Sequence, residues 1–219
     1  MKKIGLITIT YNSAHVIEPF MQCVLKQTHT NFILYIIDNI STDNTLSLIQ
    51  KYNDNRIVII ANKNNVGVAA GNNQGIKKAL EDECEELMLL NNDVEFETTL
   101  LEKLSKQLTI LNASLIAPKM MYHPETNLIW WAGSKFKKID GCMTHHIGIQ
   151  QEDTGQYDKI EQMDYAPTCC VLMKREVIKD IGFMDEKYFA YYDDTDFFYR
   201  LYKQKKHLLY YEEFQAKSL

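Results

Sequence analysis

The sequence lacks the features that define several common classes of protein. No stretch approaches the ~20 consecutive apolar residues of a membrane-spanning helix, and the amino-terminal MKKIGLITIT is too short and polar for the apolar region of a signal peptide. Excess positive charge is absent too, because the formal net charge is −5. Neither GxGxxG nor GxxxxGK[ST] occurs. These absences argue against a nucleic-acid partner, a dehydrogenase and a P-loop NTPase.

The cysteines and histidines form no recognisable metal or disulfide pattern. The five cysteines contain no CxxC pair and no evenly spaced framework, which is typical of free thiols in a reducing compartment. We therefore predict a cytoplasmic protein. His145 and His146 are adjacent, and neighbouring side chains on a strand or helix do not face one another, so we expect exposed loop residues rather than a chelating pair.

The first half of the chain alternates strand-like and helix-like segments. Strands are predicted at Ile4–Ile9, Phe32–Ile37, Arg56–Ala61, Glu86–Leu90 and Ser114–Pro118, and helices at Ala14–Lys26, about Ser41–Tyr52, Val68–Glu81 and Thr99–Leu111. Strands separated by helices of this length predict a mostly parallel sheet with helices on both faces. The aromatic, β-rich stretch Tyr122–Gln162 breaks the alternation and is predicted to be an insertion, so one α/β domain over 1–219 is expected.

Polar clusters follow four of the predicted strands. They are Thr10-Tyr11-Asn12, Asp38-Asn39, Asn62 and Asn91-Asn92-Asp93. The carboxyl ends of parallel strands share one edge of the sheet, and ligands bind in the crevice beyond that edge. Two carboxylates among amides and hydroxyls are suited to a ribose or base and to a phosphate bridged by a cation. We therefore expect these clusters to meet at one ligand.

Five sequence blocks together resemble a known family. In chain order they are Ile9-Thr10-Tyr11-Asn12-Ser13, Ile37 to Thr45, Asn65 to Gly75, Leu89 to Asp93, and Phe183 to Arg200 with its run Tyr191-Tyr192-Asp193-Asp194-Thr195-Asp196. Between about residues 4 and 211 the chain resembles the family 2 inverting glycosyltransferases of GT-A fold, particularly the bacterial rhamnosyltransferase-like branch. One block alone is weakly specific, whereas five in this order are highly specific.

The resemblance implies a fold, a reaction and a location. It implies a single GT-A domain with a nucleotide-binding half, 1–118, and an acceptor-side half, 119–219. The implied reaction transfers a sugar from a UDP- or dTDP-sugar to a hydroxyl of a bacterial cell-surface glycan or its lipid-linked precursor. Such an acceptor is reached from the inner face of the membrane by a protein associated with its surface.

The nucleotide site is predicted at the first two strand ends and the third helix. Thr10, Tyr11 and Asn12 offer backbone groups and an aromatic ring for a base, although a simple turn is the alternative. Asp38 ends an apolar strand, where a carboxylate needs a partner such as a base N–H or a ribose hydroxyl. The resemblance adds three nucleotide-binding residues, Asn65, Gly67 and Asn73, and close helix packing is the alternative for the glycines.

A metal site is predicted at the end of the fourth strand. Asn91-Asn92-Asp93 stands where the family has Asp-x-Asp, with Asn91 replacing the first Asp. Asp93 is therefore predicted to hold Mn²⁺ or Mg²⁺ together with the nucleotide phosphates, because one or two carboxylates suffice for such ions. An Asx turn is the alternative. Four residues are assigned to the donor sugar or the acceptor: Asn91, Asn92, Trp131 and Asp193.

The acidic run near residue 194 is predicted to supply the catalytic base. Asp193, Asp194 and Asp196 lie so close that like charges raise the pKa of at least one of them. Inverting transfer needs one carboxylate to deprotonate the acceptor hydroxyl, and the resemblance places that role on Asp194 and an acceptor contact on Asp193. Asp196 and Arg200 are expected to form an i,i+4 ion pair. A charged helix N-terminus is the alternative for the whole run.

Two departures from the family pattern carry expectations. Thr168 stands where the family usually has Gly, which would narrow the acceptor or sugar pocket. Relatives also continue past the position of Tyr211 with a strand and a His that completes the metal site, and His207 lies upstream of that position. We therefore expect this chain to lack a C-terminal segment.

Two other functions stay open at this point. The first is a non-catalytic glycan- or nucleotide-binding domain of the same fold, since a fold does not guarantee chemistry. The second is a nucleotidyltransferase that makes the activated sugar. That class needs a Gly-rich, basic loop after the first strand, and the stretch Tyr11-Asn12-Ser13-Ala14-His15 does not resemble one.

Overall fold

A large mixed sheet with flanking helices forms the centre of the protein. The computed structural model describes residues 1–124, 127–137, 139, 141, 143–206 and 208–218, with the backbone alone for 210–218. The strands are β1 Ile4–Thr10, β2 Phe32–Asp38, β3 Ile57–Ala61, β4 Glu86–Leu90, β5 Val94–Phe96, β6 Leu115–Tyr122, β7 Ile129–Trp131, β8 Ser134–Lys137, β9 Met143–His146, β10 Glu161–Met163, β11 Cys170–Lys174 and β12 Leu208–Ser218. The helices are α1 Ile17–Leu25, α2 Thr45–Ile49, α3 Gly67–Glu81, α4 Leu100–Ile110, α5 Glu176–Ile181 and α6 Asp193–Lys203.

The sheet runs in the order β10-β12-β6-β11-β4-β1-β2-β3, with β5 pairing β12 and β7 pairing β6. Strands β3, β2, β1 and β4 pair in parallel, and β6 and β12 run in the same direction. Thr10 pairs with Asp38, and Asp38 pairs with Ala61. The polar clusters that follow these strands therefore emerge at one edge, as the alternation of strands and helices predicted.

Apolar packing on both faces explains why the central strands form where they do. The hydrophobic residues of β1, β2 and β4 are almost all buried, which is typical of parallel strands covered by helices on each side. Helix α3 lies close to this sheet because Gly75 has no side chain. A Cβ at Gly75 would come within 2.5 Å of Ile7 Cγ2, so Gly75 permits the close approach of helix and strand.

Three elements differ from the sequence-based predictions. β11 inserts antiparallel between β4 and β6, so the predicted fifth strand, observed as Leu115–Tyr122, does not pair with β4. Helix α2 covers only Thr45–Ile49, because the residues before it form a loop held by side-chain hydrogen bonds. β12 was not predicted at all. Its pairing with β6 and β5 joins distant parts of the chain, which local sequence patterns do not encode.

The stretch Tyr122–Gln162 contains β7 and the separate two-stranded sheet β8-β9. Lys119 on β6 anchors the loop that follows this hairpin. Its side chain is only 2% exposed, and its Nζ lies 2.6 Å from Asp153 Oδ2 and 2.7 Å from Asp158 Oδ1. A buried ammonium needs such partners because its desolvation is costly.

Among the helices described in this structure, none is long and apolar enough to cross a membrane.

Candidate active site

A cavity of about 710 Å³ opens at the carboxyl edge of the sheet. Its volume is within the range of small-molecule binding sites. Its lining includes three residues that were predicted from the sequence to take part in binding or catalysis, namely Asn91, Asp193 and Asp194. Thr168, which was predicted to narrow the pocket, also lines it. The complete lining is Val68, Asn91, Tyr165, Thr168, Ala190, Tyr191, Tyr192, Asp193, Asp194 and Thr195.

Two exposed tyrosines lead into helix α6 at the rim of this cavity. Tyr191 and Tyr192 have φ angles of 66° and 62°, in the left-handed region that aromatic residues rarely adopt. Their side chains are 83% and 59% exposed. The amide of Asp196 donates to the carbonyl of Tyr192 at 2.9 Å, which fixes the turn. Strained backbone of this kind is common where residues are held for function.

Asp193 is a nearly buried carboxylate with unused hydrogen-bonding capacity. It is 4% exposed, and its Oδ2 atom has no hydrogen-bond partner among the described residues. Burial and, to a lesser degree, the charge of Asp194 together raise the pKa of Asp193 to about 6. The prediction that one carboxyl pKa in this cluster is raised is confirmed, with burial as the larger cause.

Asp194 has hydrogen-bond donors on both carboxylate oxygens. The hydroxyl of Tyr165 donates to Oδ2 at 2.6 Å, and the amide of Thr195 donates to Oδ1 at 2.6 Å. Tyr165 is buried, and this burial together with the charge of Asp194 raises the pKa of the Tyr165 phenol, so its hydroxyl keeps its proton. Tyr165 was not predicted as a site residue, because its contact with Asp194 joins positions 29 residues apart.

The prediction of exposed loop positions for the two histidines is wrong. His145 and His146 belong to β9 and are partly buried, because the β8-β9 hairpin folds back toward α6. The ring of His146 stacks on Tyr165 at a centroid distance of 6.0 Å and meets Trp130 edge-on at 5.5 Å. Burial lowers the pKa of His146, which favours the neutral imidazole.

The structure tests whether Asp93 fits a divalent cation. Asp93 Oδ1 is buried without a hydrogen-bond partner among the described residues, and burial raises the pKa of the carboxyl group. In the described part of the chain no three His, Cys, Asp or Glu side chains gather as a complete metal site. This arrangement fits an ion held by one carboxylate and completed by phosphate oxygens and water.

The buried thiol of Cys169 connects the predicted metal ligand with the acidic pair. Cys169 lies next to β11, and its carbonyl accepts the amide of Asn91 at 2.9 Å. Burial raises the pKa of the Cys169 thiol, and the charges of Asp93 and Asp194 both add to that shift. Asn91, two residues before Asp93, lines one cavity with Asp194, so the end of β4 and the acidic pair lie at the same region of the sheet edge.

The predicted nucleotide edge is a network of internal hydrogen bonds. Asp38 is 1% exposed and accepts three of them: Thr10 Oγ1 at 2.9 Å, the amide of Ser41 at 3.0 Å and Ser41 Oγ at 2.6 Å. Asn12, with a φ of 52°, accepts the amide of Thr42 through Oδ1 at 2.8 Å. Tyr11, in contrast, is 54% exposed and available to a ligand.

Three residues that were predicted to contact ligands make contacts within the protein. Asn73 is 1% exposed and bonds to the carbonyl and amide of Met184 at 2.9 and 3.0 Å. Asn92 donates to Ile9 O at 2.8 Å and to Ser13 Oγ at 2.9 Å. Trp131 is fully buried. None of the three lines the cavity, and their contact with a ligand stays a prediction.

Asn65 and Gly67 organise the first turn of α3. Asn65 Oδ1 accepts the amide of Gly67 at 2.9 Å. Gly67 has a φ of 83°, and a Cβ there would lie 2.4 Å from the carbonyl oxygen of Phe189. The amide of Val68 donates to that same carbonyl at 2.7 Å. The loop before the acidic pair is thereby joined to the start of α3, and the close approach requires glycine at position 67.

The predicted ion pair within α6 is confirmed. Arg200 Nε donates to Asp196 Oδ2 at 2.9 Å. The same guanidinium donates to the carbonyl oxygens of Ile181 and Phe183. Asp196 is therefore occupied by Arg200, whereas Asp193 and Asp194 both line the cavity.

Comparisons with known proteins agree with this geometry. The glycosyl transferase family 2 profile matches residues 6–182. The low-salt glycan biosynthesis hexosyltransferase Agl10 of Haloferax volcanii is 25% identical over 166 residues, covering 75% of this chain and 52% of Agl10. The teichuronic acid biosynthesis glycosyltransferase TuaG of Bacillus subtilis, itself named as putative, is 28% identical over 171 residues, covering 70% of this chain and 64% of TuaG.

Over a shorter stretch, the chain is similar to an enzyme whose name states both its donor and its acceptor. The UDP-Glc:alpha-D-GlcNAc-diphosphoundecaprenol beta-1,3-glucosyltransferase WfgD of Escherichia coli is 34% identical over 76 residues, which cover 35% of this chain and 30% of WfgD. The chain thus spans about half to two thirds of the length of Agl10 and TuaG, and less of WfgD.

Solved structures share the fold at low sequence identity. TarS 1-349 of S. aureus in complex with UDP superimposes with a TM-score of 0.74 at 17% identity, covering 98% of this chain and 60% of TarS. GalNAc-T7 with UDP, GalNAc and Mn²⁺ gives a TM-score of 0.77 at 12% identity, covering 100% of this chain and 44% of the other. These likenesses show the GT-A fold. With the family profile matching most of its length, the chain belongs to glycosyl transferase family 2.

Proposed function

We propose that this chain is the catalytic domain of an inverting glycosyltransferase. It moves a sugar from a UDP- or dTDP-sugar to a hydroxyl of a bacterial cell-surface glycan or its lipid-linked precursor. The observation that carries the proposal is the pair Asp193 and Asp194 in one cavity with Asn91, two residues before Asp93. A base and a site for a nucleotide diphosphate are the two parts that inverting transfer requires.

Asp194 acts as the base in this proposal. Its carboxylate takes the proton of the acceptor hydroxyl while that oxygen forms a bond to the anomeric carbon of the donor. The bond from the anomeric carbon to the diphosphate breaks at the same time, and its electron pair leaves with the nucleotide. Donors from Tyr165 and Thr195 orient the carboxylate, and Asp193, which lines the same cavity, contacts the acceptor.

Asp93 would hold Mn²⁺ or Mg²⁺ against the diphosphate. When bound, the cation neutralises negative charge that develops on the departing diphosphate. The chain supplies one carboxylate oxygen for this purpose, in a partly buried position at the end of β4. Affinity for the ion in the absence of nucleotide should therefore be low.

The uracil or thymine base and the ribose occupy the ends of β1 and β2 in this proposal. Tyr11 supplies an exposed ring for stacking on the base. Asp38 holds the loop through Ser41 and keeps part of its acceptor capacity for a ribose hydroxyl or a base N–H. Support for UDP comes from TarS, whose structure contains it, and from the UDP-Glc in the name of WfgD.

A lipid-linked acceptor would place the enzyme at the inner face of the membrane, on the cytoplasmic side. Support comes from the diphosphoundecaprenol acceptor in the name of WfgD. The protein would then reach its acceptor by association with the membrane surface.

Nucleotide binding and turnover together test the proposed function. We expect isothermal titration calorimetry to detect UDP or dTDP binding that is tighter with Mn²⁺ than with EDTA. We also expect the protein to release the nucleotide diphosphate from at least one member of a panel of UDP- and dTDP-sugars when GlcNAc-diphosphoundecaprenol is supplied. Binding without any release over the panel would favour the non-catalytic binding domain instead. No binding of either nucleotide would contradict the proposal.

Asp38→Ala should weaken nucleotide binding by roughly tenfold to a hundredfold. A hydrogen bond to a charged group contributes ~1.5–3 kcal/mol, and the substitution also frees Ser41 from its carboxylate acceptor. Calorimetry with UDP and dTDP measures the change. Ser41→Ala is the matched control, because it removes a donor to Asp38 and keeps the carboxylate. Equal affinities of wild type and Asp38→Ala would remove Asp38 from the nucleotide site.

A further inference from the structure

We infer that Tyr165 is a positioning residue for Asp194, and that the β8-β9 hairpin holds Tyr165 in place for this role. The inference rests on the proposed function in one respect, namely that Asp194 is the base. Its starting observation is the 2.6 Å hydrogen bond from the Tyr165 hydroxyl to Asp194 Oδ2. No other donor to that oxygen is found among the described residues, whereas Oδ1 receives the amide of Thr195.

The hydrogen bond fixes which way the carboxylate faces. An Asp side chain at a helix N-terminus rotates readily about its terminal torsion unless both oxygens are held. In Asp194 one oxygen is held by its own helix and the other by a residue 29 positions away. The orientation of the carboxylate therefore depends on how α6 is placed relative to the segment before β11, which carries Tyr165. Asp193 differs, because its buried Oδ2 accepts no hydrogen bond from any described residue.

The hairpin restrains the tyrosine from two sides. His146, on β9, stacks on the Tyr165 ring with an interplanar angle of 25°. Phe136, on β8, meets the same ring edge-on at 6.4 Å. The backbone beside Tyr165 is held as well, because the amide of Phe136 donates to Asp164 Oδ2 at 3.1 Å and the amide of Asp164 donates to Ser134 O at 3.0 Å.

This arrangement gives the insertion a part in the reaction that its sequence did not indicate. The hairpin contributes no carboxylate to the cavity lining. It fixes an aromatic ring whose hydroxyl aims the carboxylate that contacts the acceptor.

Other titratable groups also face Asp194, and the test has to account for them. Asp193 on the same helix and the thiol of Cys169 next to β11 are both near enough for charge interaction. His146 from β9 interacts with the charge of Asp194 as well. Tyr165→Phe removes one hydroxyl and leaves all three of these groups in place, so it isolates the hydrogen bond.

The experiment is a carbon-13 NMR titration of protein labelled at the aspartate carboxyl carbon, with the Asp194 resonance assigned through Asp194→Asn. In Tyr165→Phe we expect the Asp194 carboxyl carbon to resonate at a different chemical shift from the wild type throughout the titration, because Oδ2 no longer accepts the tyrosine hydroxyl. Tyr202→Phe is the matched control. The Tyr202 ring also packs edge-on against Phe136, at 5.5 Å, and it should leave the titration unchanged.

Steady-state kinetics supply the second measurement. Where the wild type releases UDP from a UDP-sugar, Tyr165→Phe should lower kcat about tenfold at neutral pH and leave the KM for the donor unchanged. A titration of Asp194 in Tyr165→Phe that coincides with the wild type would overturn the inference. Because the titration needs neither donor nor acceptor, it decides the role of Tyr165 even if no UDP release is found, and that second result would count against the proposed function alone.

Discussion

Asp194→Asn should retain donor binding while turnover falls by ~10²–10⁴, the usual contribution of a positioned general base. The amide keeps the size of the carboxylate, but it does not take a proton at neutral pH. The fold should be unaffected, because the amide oxygen still accepts the amide of Thr195 and the amide nitrogen donates to the hydroxyl oxygen of Tyr165. Nucleotide release from a UDP-sugar measures turnover, and calorimetry measures donor affinity.

Two companion variants separate the members of the acidic cluster. Asp193→Asn should have a smaller effect than Asp194→Asn, expressed mainly in the KM for the acceptor. Asp196→Asn removes the ion pair with Arg200 and should affect stability more than turnover. Near-normal turnover of Asp194→Asn together with an inactive Asp193→Asn would move the base to Asp193, whose pKa near 6 is suited to that role. Near-normal turnover of both would reject a carboxylate base in this cluster.

Asp93→Ala should abolish the Mn²⁺-dependent part of UDP or dTDP binding. The substitution removes the carboxylate oxygen that has no protein partner among the described residues, and no cluster of three potential metal ligands is present there as a substitute. Thermal stability should be preserved or raised, because burial of an unpaired carboxylate is unfavourable. Calorimetry with Mn²⁺ and with EDTA compares the two contributions to binding.

Asn91→Asp is the matched variant for the metal site. It restores a second carboxylate two residues before Asp93, and with two carboxylates we expect tighter Mn²⁺-dependent binding of the nucleotide. Metal dependence that is the same in the wild type and in Asp93→Ala would indicate that the enzyme binds its nucleotide without a cation at this position.

The parallel half of the fold was predictable from sequence because its information is local. The apolar runs of β1, β2 and β4 and the periodic helices between them define the elements, and parallel pairing follows from the crossovers. β11 and β12 were not predictable in the same way. Their pairing with β4 and β6 joins segments far apart in the chain, and a short apolar or polar run does not indicate which neighbour it will find.

The sequence allowed us to predict which residues line the candidate site better than which partners each of them contacts. The acidic run placed Asp193 and Asp194 together, and both line the cavity. Asn73 and Trp131 were assigned to ligands, whereas in the structure both side chains are buried and neither lines the cavity. A single polar residue in a motif does not reveal whether its partner is a ligand or a distant loop. Tyr165 was missed for the same reason, since nothing near it in sequence contains its carboxylate partner.

The stereochemistry of transfer tests the central claim most directly. The wild type is incubated with the donor UDP-α-glucose, the acceptor GlcNAc-diphosphoundecaprenol and Mn²⁺. If this donor is not accepted, other UDP- and dTDP-sugars are used in turn. Proton NMR of the isolated product then gives the configuration at its new anomeric centre. A single displacement assisted by Asp194 predicts inversion, so an α-linked donor gives a β-linked product, and no product forms at a comparable rate with Asp194→Asn. An α-linked product from the same donor would contradict the account.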